Sequence, residues 1–223
     1  MPADRSAQIV ESIAEAGLIA VIRTDSSQLA LETCRALAAG GVRVQEIALT
    51  TPNGVEAIRQ AAAELPDCLI GAGTVLTPEQ ANAVVDAGAS FVFAPNTDPA
   101  VIETAKSRGV AAVPGALTPT EIATAISAGA DVVKLFPANY FGPRYIKDIH
   151  GPLPGVRITP TGGINLENLG EWLSAGAIAV GVGTSMVRKD LIREGRWEEL
   201  ATVASRYVEA VAEARGGLRI ATA

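Results

Sequence analysis

The chain has 223 residues, 48% hydrophobic and only 4% aromatic, with a formal net charge of −6 from 18 basic and 24 acidic residues. That length suits one domain, and an interior so poor in aromatics must be filled by Ala, Val, Ile and Leu, as in parallel strands buried on both faces. The acidic balance argues against general nucleic-acid binding, and no run of about 18 apolar residues marks a membrane span.

The opening Met-Pro-Ala-Asp-Arg-Ser precedes a polar helix and lacks the apolar stretch of a signal peptide, so the chain reads as cytoplasmic. Eight short apolar runs then recur, each followed by an Ala-rich amphipathic segment. They are Leu18–Arg23, Val44–Thr50, Leu69–Val75, Phe91–Pro95, Ala111–Gly115, Val132–Pro137, Arg157–Gly163 and Ala179–Thr184. Gly88, Gly109, Gly129 and Gly176 stand just before four of the runs, where a helix needs a left-handed residue to stop. Helix starts are marked by Thr77-Pro78, Asp98-Pro99, Thr118-Pro119 and Asn165-Leu166-Glu167-Asn168, each offering an N-cap followed by Pro or an acidic residue. Strands alternating with helices imply a parallel sheet with right-handed crossovers. Eight units of nearly constant length predict an α/β fold, a closed (β/α)8 TIM barrel forming a single domain over residues 1–223. An open doubly wound sheet is the runner-up, without a Gly-x-Gly-x-x-Gly to support it.

Such barrels place reactive groups at the C-terminal ends of their strands. The polar residues there are Arg23, Glu46, Thr50, Thr74, Asn96, Lys134, Thr161 and Thr184. Lys134 lies in the apolar run Val132-Val133-Lys134-Leu135-Phe136-Pro137, where alternation points it into the barrel. Burial favours the neutral, nucleophilic form of an amine. The plainer alternative is a structural ion pair with Glu46, another charged residue in a strand. Gly162-Gly163 and Gly181-Val182-Gly183-Thr184-Ser185 fall in the loops after strands seven and eight, the usual phosphate site of this barrel. His150, the sole histidine, reads as part of a loop entering the seventh strand, at the wrong end for chemistry. With one histidine and no clustered carboxylates, no metal and no cofactor is expected. Cys34 and Cys68 have no metal or redox spacing and read as buried, reduced thiols. Trp172 and Trp197 are read as helix packing, and Tyr140 and Phe141 as residues that shape the mouth of the site.

Three segments carry a family resemblance that runs from about Ile19 to Val211. They are Gly71-Ala72-Gly73-Thr74-Val75, Val133-Lys134-Leu135-Phe136-Pro137-Ala138 and Pro160-Thr161-Gly162-Gly163. The chain resembles the 2-keto-3-deoxy-6-phosphogluconate (KDPG) and 4-hydroxy-2-oxoglutarate (KHG) aldolases. The resemblance implies Lys134 as the Schiff-base lysine and Glu46 as the acid–base carboxylate. It implies Thr74 and Thr161 as substrate contacts, Pro95 and Phe136 as the lining of the pyruvyl pocket, and Thr184 as the phosphate-loop hydroxyl, with Ser185 as the alternative. Gly162, Gly163 and Gly183 belong to the same anion loops. Many members carry an arginine where this chain has Thr50. Arg23 is expected to supply the guanidinium instead, as a bidentate carboxylate clamp.

The function implied is reversible cleavage of a 2-keto-4-hydroxy acid such as KDPG or KHG, with 2-keto-3-deoxy-6-phosphogalactonate (KDPGal) as the alternative, the choice resting on a few pocket contacts. Products are pyruvate and an aldehyde. The stretch Phe141-Gly142-Pro143-Arg144-Tyr145-Ile146-Lys147 is similar to the galactonate-type branch as well. The partner is then a small keto acid, phosphorylated in most of these versions, with no nucleic acid or membrane, and the resemblance implies a homotrimer. Rival readings are a phosphate-binding isomerase or epimerase, a metal-dependent aldolase, and a non-enzymatic binding barrel.

Overall fold

The computed structural model describes residues 5–221; of the opening segment, residues 1–4 lie outside it. In chain order the elements are α1 (Arg5–Ala16), β1 (Leu18–Ile22), α2 (Ser27–Ala39), β2 (Val44–Ala48), α3 (Gly54–Glu64), β3 (Leu69–Gly73) and α4 (Pro78–Asp86). There follow β4 (Phe91–Phe93), α5 (Pro99–Ser107), β5 (Ala111–Val113), β6 (Gly115–Ala116), α6 (Pro119–Ser127) and β7 (Val133–Leu135). The last are α7 (Arg144–His150), β8 (Ile158–Pro160), α8 (Leu169–Ser174), β9 (Val180–Val182), α9 (Lys189–Arg193) and α10 (Trp197–Ala221).

The strands form a curled parallel sheet. Six of them run in the order β5-β4-β3-β2-β1-β9, and three more form a second sheet, β6-β7-β8. The closed ring of eight expected from the repeat is therefore matched in part: the hydrogen-bonded ladder is divided. The physical cause of one division is Pro114, which lacks the N–H a ladder needs and separates β5 from β6. Its carbonyl still accepts from the Lys134 N–H at 2.8 Å. On the other side a single parallel bridge, Thr161 to Gly181, joins the chain just after β8 to β9.

Alternation along the strands sorts side chains into two cores. Val133, Leu135, Ile47, Ile70, Ala72 and Val92 face the surrounding helices, in a cluster that includes Leu37, Ile58, Val84 and Trp172. Ile19, Val44, Phe91, Phe93, Ala111, Val113, Val132 and Ala179 face the other way and share a cluster with Ile9, Val10 and Ile13 of α1. Helix α1 thus packs an apolar stripe of 3–4 residue spacing over the ends at which the strands begin. Polar ties hold it there: Lys106 Nζ bonds both Asp131 (2.6 Å) and the buried Ser6 hydroxyl (2.9 Å), and Arg157 pairs with Glu11 at 2.8 Å.

The capping signals act as their chemistry requires. Thr77, Asp98 and Thr118 accept from backbone N–H groups of the first turn, Thr118 and Glu121 forming a reciprocal capping box. Gly88, Gly109, Gly129 and Gly176 all have positive φ. Three readings need correction. Asn165 caps as expected, its side chain accepting from the Glu167 and Asn168 N–H groups and its carbonyl from Leu169, but one turn intervenes and the regular helix begins only at Leu169. His150 is the last residue of α7, its ring bonded to the Val156 carbonyl at 2.9 Å. Cys34 is buried, and burial holds its thiol protonated, but Cys68 is only half-buried.

Candidate active site

Lys134 and Glu46 meet across the interior. Lys134 sits at the centre of β7, in register with Gly115 and Thr159. Its neighbours Val133 and Leu135 face the helices, so its own side chain enters the interior and is 7% exposed. Glu46 lies in β2 beside Val21 and Gly71, and its side chain is 1% exposed. Lys134 Nζ stands 3.6 Å from Glu46 Oε1. Two aromatic rings flank the amine, Phe93 and Phe136, each with its centroid 5.3 Å away. Glu46 Oε2 and the Thr161 hydroxyl are buried without a hydrogen-bond partner among the described residues. Buried polar atoms left unpaired cost free energy, so the free Glu46 oxygen beside the buried amine, and the Thr161 hydroxyl in the adjoining cavity wall, are prepared for a polar ligand.

Near this pair is an open cavity of about 410 Å³. It is bounded by Arg23 and Val21 from β1 and its exit, by Phe136 and Thr161, and by the two glycine loops, Gly162-Gly163 and Gly183-Thr184-Ser185. Phe136 connects the two regions, since it lines the cavity and touches the amine. No carboxylate lines this cavity, while Arg23 and Lys189 both do. Neither cation has an ion-pair partner among the described residues, whereas the adjacent Arg188 is held by Asp190 at 2.5 Å. In a chain of net charge −6, two unpaired cations and no acid make a locally positive basin.

The glycine loops are rigidly related. The Ser185 hydroxyl donates to the Ile164 carbonyl at 2.6 Å, tying one loop to the other. Thr184 is exposed and has no such commitment, so of the two hydroxyls it is the one available to a ligand. Gly162 and Gly163 both have positive φ, 107° and 74°, which a side chain would strain.

Most of the residues expected at the site are brought together: Lys134 with Glu46 and Phe136, and Arg23 with Thr161 and both glycine loops. Thr74 directly follows β3 and has φ 60°, an uncommon left-handed conformation for a β-branched residue. Pro95 packs its backbone where a Cβ on Gly115 would stand, at 2.4 Å. Thr50 is exposed in the turn after β2 and is not part of the cavity wall, and Tyr140 and Phe141 are likewise exposed outside it. Two residues at the site were not singled out from sequence, Phe93 and Lys189. Phe93 carried an alternation signal with Phe91, but nothing in the sequence placed its ring against Lys134. Among the described residues no group of three or more His, Cys, Asp or Glu could hold a metal ion, and no helix is long and apolar enough to cross a membrane.

Comparison with known proteins extends these observations. The family model for KDPG and KHG aldolase matches residues 9–203. The 2-dehydro-3-deoxy-phosphogluconate aldolase of Pseudomonas aeruginosa is 37% identical over 212 residues, 95% of this chain and 96% of its own. The 2-dehydro-3-deoxy-6-phosphogalactonate aldolase of Escherichia coli is 36% identical over 196 residues, 87% of this chain and 96% of its own. Among solved structures, KDPG aldolase from Legionella pneumophila, with pyruvate captured as a covalent carbinolamine intermediate, superposes with a TM-score of 0.82. It is 33% identical, over 88% of this chain and 96% of that one.

Proposed function

The chain belongs to the KDPG and KHG aldolase family, and we propose that Lys134 is the residue at which its chemistry takes place. The enzyme is a class I pyruvate aldolase, a lyase. The isomerase, metal-dependent and non-enzymatic readings are thereby set aside. One observation supports the assignment of Lys134 above others: a buried amine whose one ion partner among the described residues is a carboxylate with a second oxygen left unpaired. Buried lysines are rare unless paired or functional.

In this reading the Lys134 amine attacks the C2 ketone of a 2-keto-4-hydroxy acid to give a carbinolamine. Loss of water gives the protonated imine. Glu46 takes the C4 hydroxyl proton, directly or through a water, as the C3–C4 bond breaks. The bonding pair passes into the imine, leaving an enamine and releasing an aldehyde. Protonation at C3 and hydrolysis release pyruvate and restore Lys134. Phe93 and Phe136 favour positive charge on the nitrogen through their ring faces. Thr161 and Thr74 position the pyruvyl end, and Arg23 clamps its carboxylate in place of the arginine that Thr50 replaces. The distal phosphate lies against Gly162-Gly163 and Gly183-Thr184, with Lys189 as its cation.

Phosphorylated 2-keto-3-deoxy acids are the proposed substrates, since the basin beside the amine is positive on two sides. We further read the two sheets as one eight-strand (β/α)8 barrel in a single domain, with β5 and β6 as one strand broken at Pro114 and the Thr161–Gly181 bridge as its seam. A homotrimer and a cytoplasmic location complete the proposal. The test is pyruvate release from KDPG, KDPGal and KHG. Wild-type protein is expected to turn over at least one, fastest with a phosphorylated acid, and Lys134→Ala none. Undiminished release by Lys134→Ala would overturn the assignment.

A further inference from the structure

Strand β3 offers the interior almost no side chain of its own. Beyond Leu69, its inward positions are Gly71 and Gly73, and each is overlain by a residue from a neighbouring strand. The Phe91 ring of β4 occupies the space over Gly71, where a Cβ would fall 2.2 Å from ring carbons. Over Gly73 lies Glu46 of β2. A Cβ there would stand 1.8 Å from Glu46 Oε1, 2.5 Å from Cδ and 2.7 Å from Cγ.

We infer that Gly73 is a positioning residue for catalysis: its bare Cα is the bed on which the Glu46 side chain lies to bring its carboxylate to Lys134. The inference rests on the acid–base role proposed above for Glu46. Glu46 pairs in register with Gly71, so its side chain must lean along the sheet by two residues to reach Gly73, which pairs with Ala48. That lean is possible only over a residue without a side chain. The backbone cannot yield instead, because the Leu49 N–H bonds the Gly73 carbonyl at 2.8 Å within the parallel ladder. The next residue, Thr74, already holds a strained positive φ. A methyl group at position 73 must therefore push aside the flexible carboxylate rather than the strand. The acid–base group is displaced while the nucleophile on the opposite strand stays where it is.

The inference predicts that Gly73→Ala acts through Glu46 and through nothing else. Turnover and borohydride capture of pyruvate are measured for Gly73→Ala, Glu46→Ala and the double variant. Gly73→Ala is expected to slow turnover on the order of a hundredfold while still capturing pyruvate on Lys134. Added to Glu46→Ala, it is expected to change turnover by less than about twofold, because the side chain it collides with is gone. The same holds should Gly73→Ala alone fail to fold, since the double variant is then expected to fold and to match Glu46→Ala. Wild-type turnover in Gly73→Ala, or an equal slowing in both backgrounds, overturns the inference and leaves Glu46 in its role. Full turnover in Glu46→Ala overturns that role, and the inference with it.

Discussion

Lys134 and Glu46 are charged groups in an interior filled mostly by Phe, Val, Ile and Ala side chains, with the buried Thr159 beside Lys134. Removing either partner alone leaves an uncompensated buried charge, whereas replacing both with apolar groups often stabilises a protein. Lys134→Met combined with Glu46→Leu should therefore abolish turnover yet unfold at a urea concentration no lower than wild type. A marked loss of stability would show that the pair has a structural role instead. At the cavity, Lys189→Ala should raise KM for a phosphorylated substrate about tenfold, the loss of one charge-assisted contact, and leave KM for the unphosphorylated KHG within about twofold. Equal effects on both would remove Lys189 from the phosphate site. Lys134, Glu46 and the glycine loops were legible in the sequence because each breaks a local rule: a charge in an apolar strand, or paired glycines at a strand end. Lys189 and Phe93 break none. A lysine opening a surface helix and a phenylalanine in a strand are ordinary, and only the tertiary arrangement brings them to the site.

Among the elements, the helix boundaries follow from capping chemistry at single residues. Thr118→Ala should cost about 1 kcal/mol of unfolding free energy, measured in urea. Its partner Glu121 accepts from the Leu117 and Thr118 N–H groups at 2.8 Å each, and these hold its carboxyl below the ordinary range. A carboxyl lowered on folding adds stability above its unfolded value, and that contribution is lost as pH falls through the folded value. The deficit of Glu121→Gln should accordingly be present at neutral pH and vanish in acid; a deficit constant with pH would exclude the ionised cap. At Asn165 the cap holds one turn before the regular helix starts at Leu169, and sequence does not convey how far beyond its cap the helix begins. Helix α1 was visible as a helix, but not as the cover of one end of the interior. Ile13→Ala should cost about 2–5 kcal/mol while leaving pyruvate capture intact, because α1 packs at the end of the strands away from the Lys134 amine.

At the scale of the whole molecule, the eightfold repeat of apolar run and Ala-rich segment is plain in the sequence, since each unit must bury one face of a helix on one strand. What the sequence does not convey is how the strands join. Pro114 stands between two of them, and the Thr161–Gly181 bridge is one residue pair long, so where the curled sheet divides depends on tertiary packing that no local pattern encodes. That packing also brings a lysine of one strand and a glutamate of another, 88 positions apart by their numbers (46 and 134), to 3.6 Å. The central claim, that this lysine forms an imine with the keto acid, is tested most directly by reducing the protein with borohydride in the presence of pyruvate and mapping the modified peptide by mass spectrometry. The account predicts one pyruvyl-derived adduct, on Lys134. An adduct on another lysine, or none on folded protein, would contradict it.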